Sequence, residues 1–236
     1  AYDLSKRRSN LSILPPYDGK AFSSFVETIY NMHGYIEHCR EEYVLISQGN
    51  VITNIDYTDV FDFHSKKKAD ITLIYKNHAI PQGYDRPITL DVDNDGKVNQ
   101  IFVKPGVVDK GVFNHAYGSI LIKKDLLMSE IRNAISVNQL DVRRLIQSSL
   151  GKYSIYAYEN KGYCAAISSI NDYFEFNMDL MKKEVRDELF NPQRPIYTKV
   201  RDDAPAKYGI DADVKNSLVA DGCVIEGTCL LYTSPS

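Results

Sequence analysis

The sequence predicts an α/β protein in which a mixed sheet with helices is followed by the first coils of a parallel β-helix. Three observations predict it. Short apolar runs alternate with amphipathic helical stretches through the first 190 residues. One hairpin signature interrupts that alternation. Beyond Asn191-Pro192 the texture changes, and small and apolar residues recur every five to six positions.

Phe22, Phe25, Val26, Ile29, Met32 and Ile36 form one stripe at helical spacing, after the breaker cluster Pro15-Pro16-Tyr17-Asp18-Gly19. Tyr43-Val44-Leu45-Ile46-Ser47 reads as a strand buried on both faces. Asp59 to Lys68 reads as a helix with Val60, Phe61 and Phe63 inward, and Asp70 to Tyr75 as another buried strand. Strand, helix, strand at this spacing is the βαβ unit of a mostly parallel sheet. Ile88–Val92 and Val98–Val103 then read as a hairpin about Asp93-Asn94-Asp95-Gly96. That turn also imitates the start of a calcium loop, but the twelfth position, where a bidentate Glu is needed, is Phe102. Tyr117–Ile122 is a further strand. Helices follow at Leu126–Val137 and Val142–Leu150, and strands at Tyr153–Tyr158 and Tyr163–Ile167. A last helix spans Ser169–Leu189, and its Tyr173, Phe174, Phe176 and Met178 read as helix core. The stretch Val214 to Gly227 begins a hexapeptide-type repeat with fewer than three coils, too few to bury their faces alone. The domains expected are therefore 1–190 and 191–228. Residues 229–236 break the pattern, resemble a translated library adapter, and are set aside from the fold reading.

The 236 residues carry a net charge of -3, which gives no basic excess to suggest nucleic acid or an anionic membrane as partner. No window approaches the roughly 18 apolar residues of a membrane span. Cys39, Cys164, Cys223 and Cys229 lack CxxC spacing, so a reducing, cytoplasmic setting is expected, with neither zinc site nor disulfide framework. His33, His38, His64, His78 and His115 show no metal-ligand spacing.

Ser12-Ile-Leu-Pro-Pro-Tyr17, Tyr43-Val-Leu-Ile46 with Gly49, Ile55-Asp56-Tyr57, Tyr156-Ala-Tyr-Glu159 with Lys161-Gly-Tyr163, Tyr173-Phe-Glu175 and Asn177-Met-Asp-Leu180 stand in an informative order. Together they resemble the glucose-1-phosphate adenylyltransferase (ADP-glucose pyrophosphorylase) family, over residues 11–228. The resemblance implies a Rossmann-like nucleotidyltransferase domain lacking its N-terminal part, then a left-handed parallel β-helix. It also implies that the nucleotide loop lies upstream of Ala1.

The departures from the family's pattern carry most of the functional reading. Where active members place a Mg²⁺-binding Asp after the strand ending at Gly49, this sequence has Asn50. The second metal-binding Asp, in a Trp-x-Asp-Val-Gly segment, aligns with Ala166 of Cys164-Ala165-Ala166. The sugar-phosphate motif Glu-Lys-Pro appears as Val103-Lys104-Pro105, and the sugar-contacting Ser before a Met-Gly pair as Ala116, before Tyr117-Gly118. Mg²⁺ wants hard, charged oxygens; an amide is a weaker ligand and a methyl is none. Nucleotidyl transfer depends on that metal for charge neutralisation. Losing both carboxylates should raise the barrier by several kcal/mol.

The resemblance is thus to the family's non-catalytic, GlgD-type subunits. It implies no metal or cofactor held by this chain, Mg²⁺ in a catalytic partner subunit, a hetero-oligomer expected as a tetramer, and a possible sugar-phosphate effector. Lys104 and Gly118 remain as vestigial substrate positions. Lys104 could hold a phosphate or be a solvated lysine at a strand end, and Lys6-Arg7-Arg8 could serve an effector or simply be solvated. Asp56 reads as a structural loop acid. The alternative is an active sugar-1-phosphate nucleotidyltransferase that binds Mg²⁺ through other groups. A hexapeptide-repeat acyltransferase would need a histidine on the coils, and none follows His115.

Overall fold

The computed structural model describes residues 24–79, 87–103, 111–196 and 204–229, and the backbone of 232–233. The expected Pro-Pro strand, Lys6 to Arg8, Phe22 and Lys104 lie outside the described residues. By contacts the chain divides into two compact units, one within Ser12–Ala166 and one within Ile167–Ser236.

In the first unit, α1 (Phe25–Asn31) and α2 (His33–His38) replace the single helix expected from the apolar stripe. Ser24 caps α1, its hydroxyl accepting from Glu27 N–H, and the break falls at Met32. Strands β1 (Tyr43–Ile46) and β2 (Val51–Thr53) follow, then helix α3 (Tyr57–Lys67) and strand β3 (Ile71–Ala79). The hairpin is β4 (Ile88–Val92) and β5 (Val98–Val103). A long strand, β6 (Val112–Lys123), leads into α4 (Lys124–Ser136) and α5 (Val142–Ser148). Strands β7 (Ile155–Glu159) and β8 (Cys164–Ala166) close the unit.

Six strands form the main sheet in the order β5-β4-β6-β3-β7, with β1 also paired to β6. It is mixed, but antiparallel pairs dominate and only β3 and β7 run parallel. The mostly parallel βαβ arrangement read from spacing is therefore corrected. Ile122 of β6 lies opposite Val44 on one side and Ile71 on the other. So β1 and β3 share a direction without touching, and the β1–α3–β3 crossover spans one intervening antiparallel strand.

Strand alternation divides the core into two layers. Ile71, Leu73, Ile120, Ile122, Ile155 and Ala157 meet α1, α4 and α5 through Val26, Ile29, Leu127, Ile131, Ala134 and Ile146. Ile74 and Leu121 turn to the other face and pack on Val60 of α3. Covering both faces is what lets β3 carry four consecutive buried residues. The edge-paired β1 is only half buried, with Leu45 38% exposed, contrary to the reading of a doubly buried strand.

In α3 the inward residues are Val60 and His64, one turn apart, while Phe61 lies exposed and edge-on to Tyr43. Buried His64 shares a hydrogen bond of 2.8 Å between Nδ1 and the Thr72 hydroxyl. Burial, reinforced by Lys123 and opposed by Asp70, holds its pKa below the ordinary 6.5. The hairpin turn is made by Asp93, whose carboxylate accepts from the N–H groups of Asp95 and Lys97, each at 2.9 Å. Gly96, at φ +87, completes it with its carbonyl on Ala157 N–H, where a Cβ would press on Phe63.

The second unit holds α6 (Ile170–Asp179) and α7 (Lys183–Leu189), where one helix was expected. A capping box between Ser169 and Asp172 starts α6. At its other end Arg186 donates to the Leu180 and Met181 carbonyls, satisfying acceptors left open by the break. The aromatic residues expected as helix core are not buried, and Phe174 is 63% exposed. Beyond, two-residue strands pair in parallel: β9 (Lys207–Tyr208) with β12 (Val224–Ile225), β10 (Asp213–Val214) with β13 (Thr228–Cys229), and β11 (Ser217–Leu218) with β14 (Tyr232–Thr233).

Two outcomes follow for stability. Leu73→Ala, at a site 2% exposed, lowers unfolding free energy by about 2–5 kcal/mol in urea titrations. Because His64 is held neutral in the fold, its contribution is complete above pH 6.5 and is lost as pH falls toward its lowered pKa. The urea midpoint therefore drops below pH 6.5. In His64→Gln, which keeps an acceptor for Thr72 and does not titrate, that slope is shallower by up to about 1.4 kcal/mol per pH unit.

Candidate functional site

Three of the site positions named from the sequence, Asn50, Ala166 and Gly118, fall on one ribbon and one bulged strand of the first unit. The ribbon is β2 paired antiparallel to β8, with Val51 opposite Ala166, Ile52 opposite Ala165 and Thr53 opposite Cys164. Asn50 immediately precedes Val51. The register therefore brings Asn50 and Ala166, far apart in sequence, to within one step of each other at the same end of the ribbon. Ala166 is buried.

Gly118 sits in β6 where the pairing with β3 slips. Ile74 faces Ser119 and the next residue, Tyr75, faces Ala116, which leaves Tyr117 and Gly118 as the bulge. Gly118 has φ +76, and a Cβ there would lie 2.4 Å from the Gln48 side-chain nitrogen. The Ser47 and Ser119 hydroxyls, 3.2 Å apart, fasten the same loop to the same strand. So the segment leading to Asn50 rests directly on the Gly118 bulge.

Lys104 lies outside the described residues. Asp56 caps α3, its carboxylate accepting from Thr58 N–H at 2.9 Å. At one end of the ribbon Asn50 offers an amide and Ala166 a methyl. These residues do not fit Mg²⁺, which takes several hard oxygens with carboxylates among them. Among the described residues no group of three His, Cys, Asp or Glu is placed to hold a metal ion.

A cluster not anticipated from the sequence lies beside these positions. The Tyr117 hydroxyl is hydrogen-bonded to His78 Nε2, and that nitrogen is 3.3 Å from His115 Nδ1. The three rings stack or tilt on one another, with Tyr117 and His115 centroids 4.4 Å apart. Burial drives His115 down to about 3, helped by His78. Tyr117 also bonds the Cys164 thiol, whose pKa is pushed up by burial to about 11 despite Lys76, Tyr117 and Thr53. That thiol is protonated at neutral pH and is no nucleophile.

Around it, Asn160 donates to the Thr53 hydroxyl at 2.8 Å, and Thr53 donates to the Tyr163 carbonyl at 2.9 Å. Lys76 donates to the carbonyls of Lys161 and Gly162. These residues form a connected, largely neutral hydrogen-bond network and contain no activated nucleophile. Sequence spacing could not reveal the histidine pair, because it arises from register. Lys76 pairs with His115, which places His78 diagonally across the two strands.

The mixed sheet with helices on both faces fits a Rossmann-like nucleotidyltransferase. No family model matches the chain. Among curated relatives it is 27% identical over 98% of its length to the Bacillus subtilis (strain 168) "Glycogen biosynthesis protein GlgD", covering 59% of that protein. It is 29% identical to the "Glucose-1-phosphate adenylyltransferase" of Clostridium acetobutylicum over 96% of its length, and 29% identical to that of Bacillus subtilis (strain 168) over 96%, covering 61% of each. The chain thus spans about three fifths of the length of these relatives. Over nearly its whole length the chain is similar to glucose-1-phosphate adenylyltransferases and to a GlgD protein.

The bulge makes a local prediction. Gly118→Ala loses about 1–2 kcal/mol of stability, because a Cβ is disfavoured at positive φ and Gln48 must move. Gly49→Ala, with nothing within 4 Å of the new methyl, stays within about 0.5 kcal/mol of the parent in the same chemical denaturation assay.

Proposed function

We propose that this chain is a regulatory, catalytically impaired subunit of a glucose-1-phosphate adenylyltransferase acting in glycogen biosynthesis. The complex would convert ATP and glucose 1-phosphate into ADP-glucose and pyrophosphate, with Mg²⁺ held in the catalytic partner subunit. The observation that carries the reading is the β2–β8 register, which sets Asn50 next to the Val51–Ala166 pair. If these are the family's two metal positions, both carboxylates are gone from one place. Two independent losses at one metal site fit an abandoned catalytic centre better than drift at either position. In-line attack of the sugar phosphate on the α-phosphorus would then lack the charge neutralisation it requires.

Under this reading Lys104 and Gly118 are remnants of substrate contacts. The nucleotidyltransferase-like domain extends to residue 190, and the paired short strands after it begin a left-handed β-helix. The parallel pairing of successive coils supports that assignment. The subunit would work in the cytoplasm, within a hetero-oligomer that answers to a phosphorylated sugar. Among the described residues no helix is long and apolar enough to cross a membrane. The rival reading of an active nucleotidyltransferase using Asp56 for Mg²⁺ is disfavoured, because that carboxylate caps α3.

The test is titration of the full-length gene product into a purified catalytic homologue while ADP-glucose formation is followed. Alone it should be inert; with the partner it should raise the rate or shift the effector response saturably. ADP-glucose made by this subunit alone at an ordinary enzymatic rate would overturn the proposal.

A further inference from the structure

The His78–Tyr117–His115 cluster joins three strands, and its hydrogen bonds depend on one proton. His78 comes from β3, His115 and Tyr117 from β6, and Tyr117 reaches Cys164 on β8. His78 is half buried and within reach of solvent, whereas His115 and Tyr117 are buried. The groups facing His78 are Lys76 on its own strand, His115 and Tyr117 on β6, and, behind Tyr117, Cys164 on β8.

Hydrogen-bond chemistry fixes the logic. A neutral His78 with its proton on Nδ1 leaves Nε2 as an acceptor. The Tyr117 hydroxyl donates to it, and His115 Nδ1 stands 3.3 Å from the same nitrogen. Tyr117 has only one proton to give, so while it serves His78 it cannot also donate to Cys164. Protonating His78 at Nε2 turns the acceptor into a donor. Tyr117 must then accept from His78, and its own proton is released toward the Cys164 sulfur. His115 Nδ1 must then face the His78 N–H without a proton of its own. One proton is taken from solvent, and no covalent bond other than N–H forms.

We propose that His78 is a proton-operated link: uptake of a proton at Nε2 turns the Tyr117 hydroxyl from β3 to Cys164 on β8 and changes how firmly the β2–β8 ribbon is held. The device does not depend on the subunit role proposed above. Burial and Lys76 hold His78 below its ordinary 6.5, the Ala79 carbonyl opposing them. The neutral arrangement, with Tyr117 serving His78 rather than Cys164, is therefore the one present at neutral pH, and it gives way to the ribbon-tightening one as pH falls toward the lowered His78 pKa.

Two measurements on the whole chain test it. In an NMR titration from pH 7.5 to 5, the His78 ring and the Cys164 Cβ resonances should move with one common midpoint. A Cys164 signal that stays still through the His78 titration overturns the proposal. In hydrogen–deuterium exchange, protection of the Val51–Thr53 and Cys164–Ala166 amides, corrected for intrinsic rates, should rise about fivefold, the worth of one hydrogen bond, between pH 7.5 and 5. His78→Gln should abolish that rise, while His64→Gln, on a buried histidine outside the cluster, should keep it. An undiminished rise in His78→Gln, or no rise in the parent chain, overturns the link.

Discussion

Two residues inserted in one strand organise the neighbourhood of the candidate site. The strand β6 is the hub of the sheet, pairing with β3 along one edge and with β4 and β1 in turn along the other. Where Tyr117 and Gly118 have no counterparts on β3, the ladder must kink. The kink has two consequences. Gly118 takes a left-handed conformation that leaves room for Gln48, so the segment running to Asn50 can lie on the strand. Tyr117, one residue earlier, is turned toward His78 and reaches Cys164. A regular strand would present these residues on alternate faces at fixed spacing and would not bring the Asn50 segment and the Cys164 strand together.

Much of this architecture was legible in the sequence because it is written in local terms. The apolar runs at Ile71–Ile74 and Leu121–Ile122 announce strands, and Asp93 with Gly96 announces the hairpin turn. What was not legible is pairing. Nothing local says that β6 comes to lie between β1 and β3, since an antiparallel partner arriving seventy-odd residues later leaves no trace in the β1–α3–β3 segment itself. Helix boundaries failed for a similar reason. The stripe from Phe25 to Ile36 runs through Met32 without a breaker, and the break at Leu180 is held by Arg186 from the following helix.

The candidate site divides along the same line. Asn50, Ala166 and Gly118 could be named because a family pattern supplies expected residues at those positions, and a departure from a pattern is visible in one sequence. That Asn50 and Ala166 lie side by side could not be read, because it rests on the β2–β8 register. The histidine cluster is invisible in the sequence for the opposite reason. Metal-ligand spacing is local to one chain segment, whereas His78 and His115 meet across a ladder.

Charge links the two halves of the site. On β8, Cys164 and Ala166 are two residues apart and so share a face of the ribbon, and Cys164 touches Tyr117. A carboxylate at 166 would lie one strand repeat, roughly 7 Å, along that face from the thiol bonded to the cluster. An anion so near favours the protonated form of a neighbouring imidazole and opposes the desolvation that keeps it neutral. With a methyl at 166 and an amide at 50, desolvation is left as the leading influence on His115. A neutral, stacked pair of histidines is then the stable state. The same absence of carboxylates that makes the ribbon a poor place for Mg²⁺ makes its flank a good place for buried, uncharged imidazoles. Both features follow from a ribbon whose residues, Val51 to Thr53 and Cys164 to Ala166, carry no carboxylate.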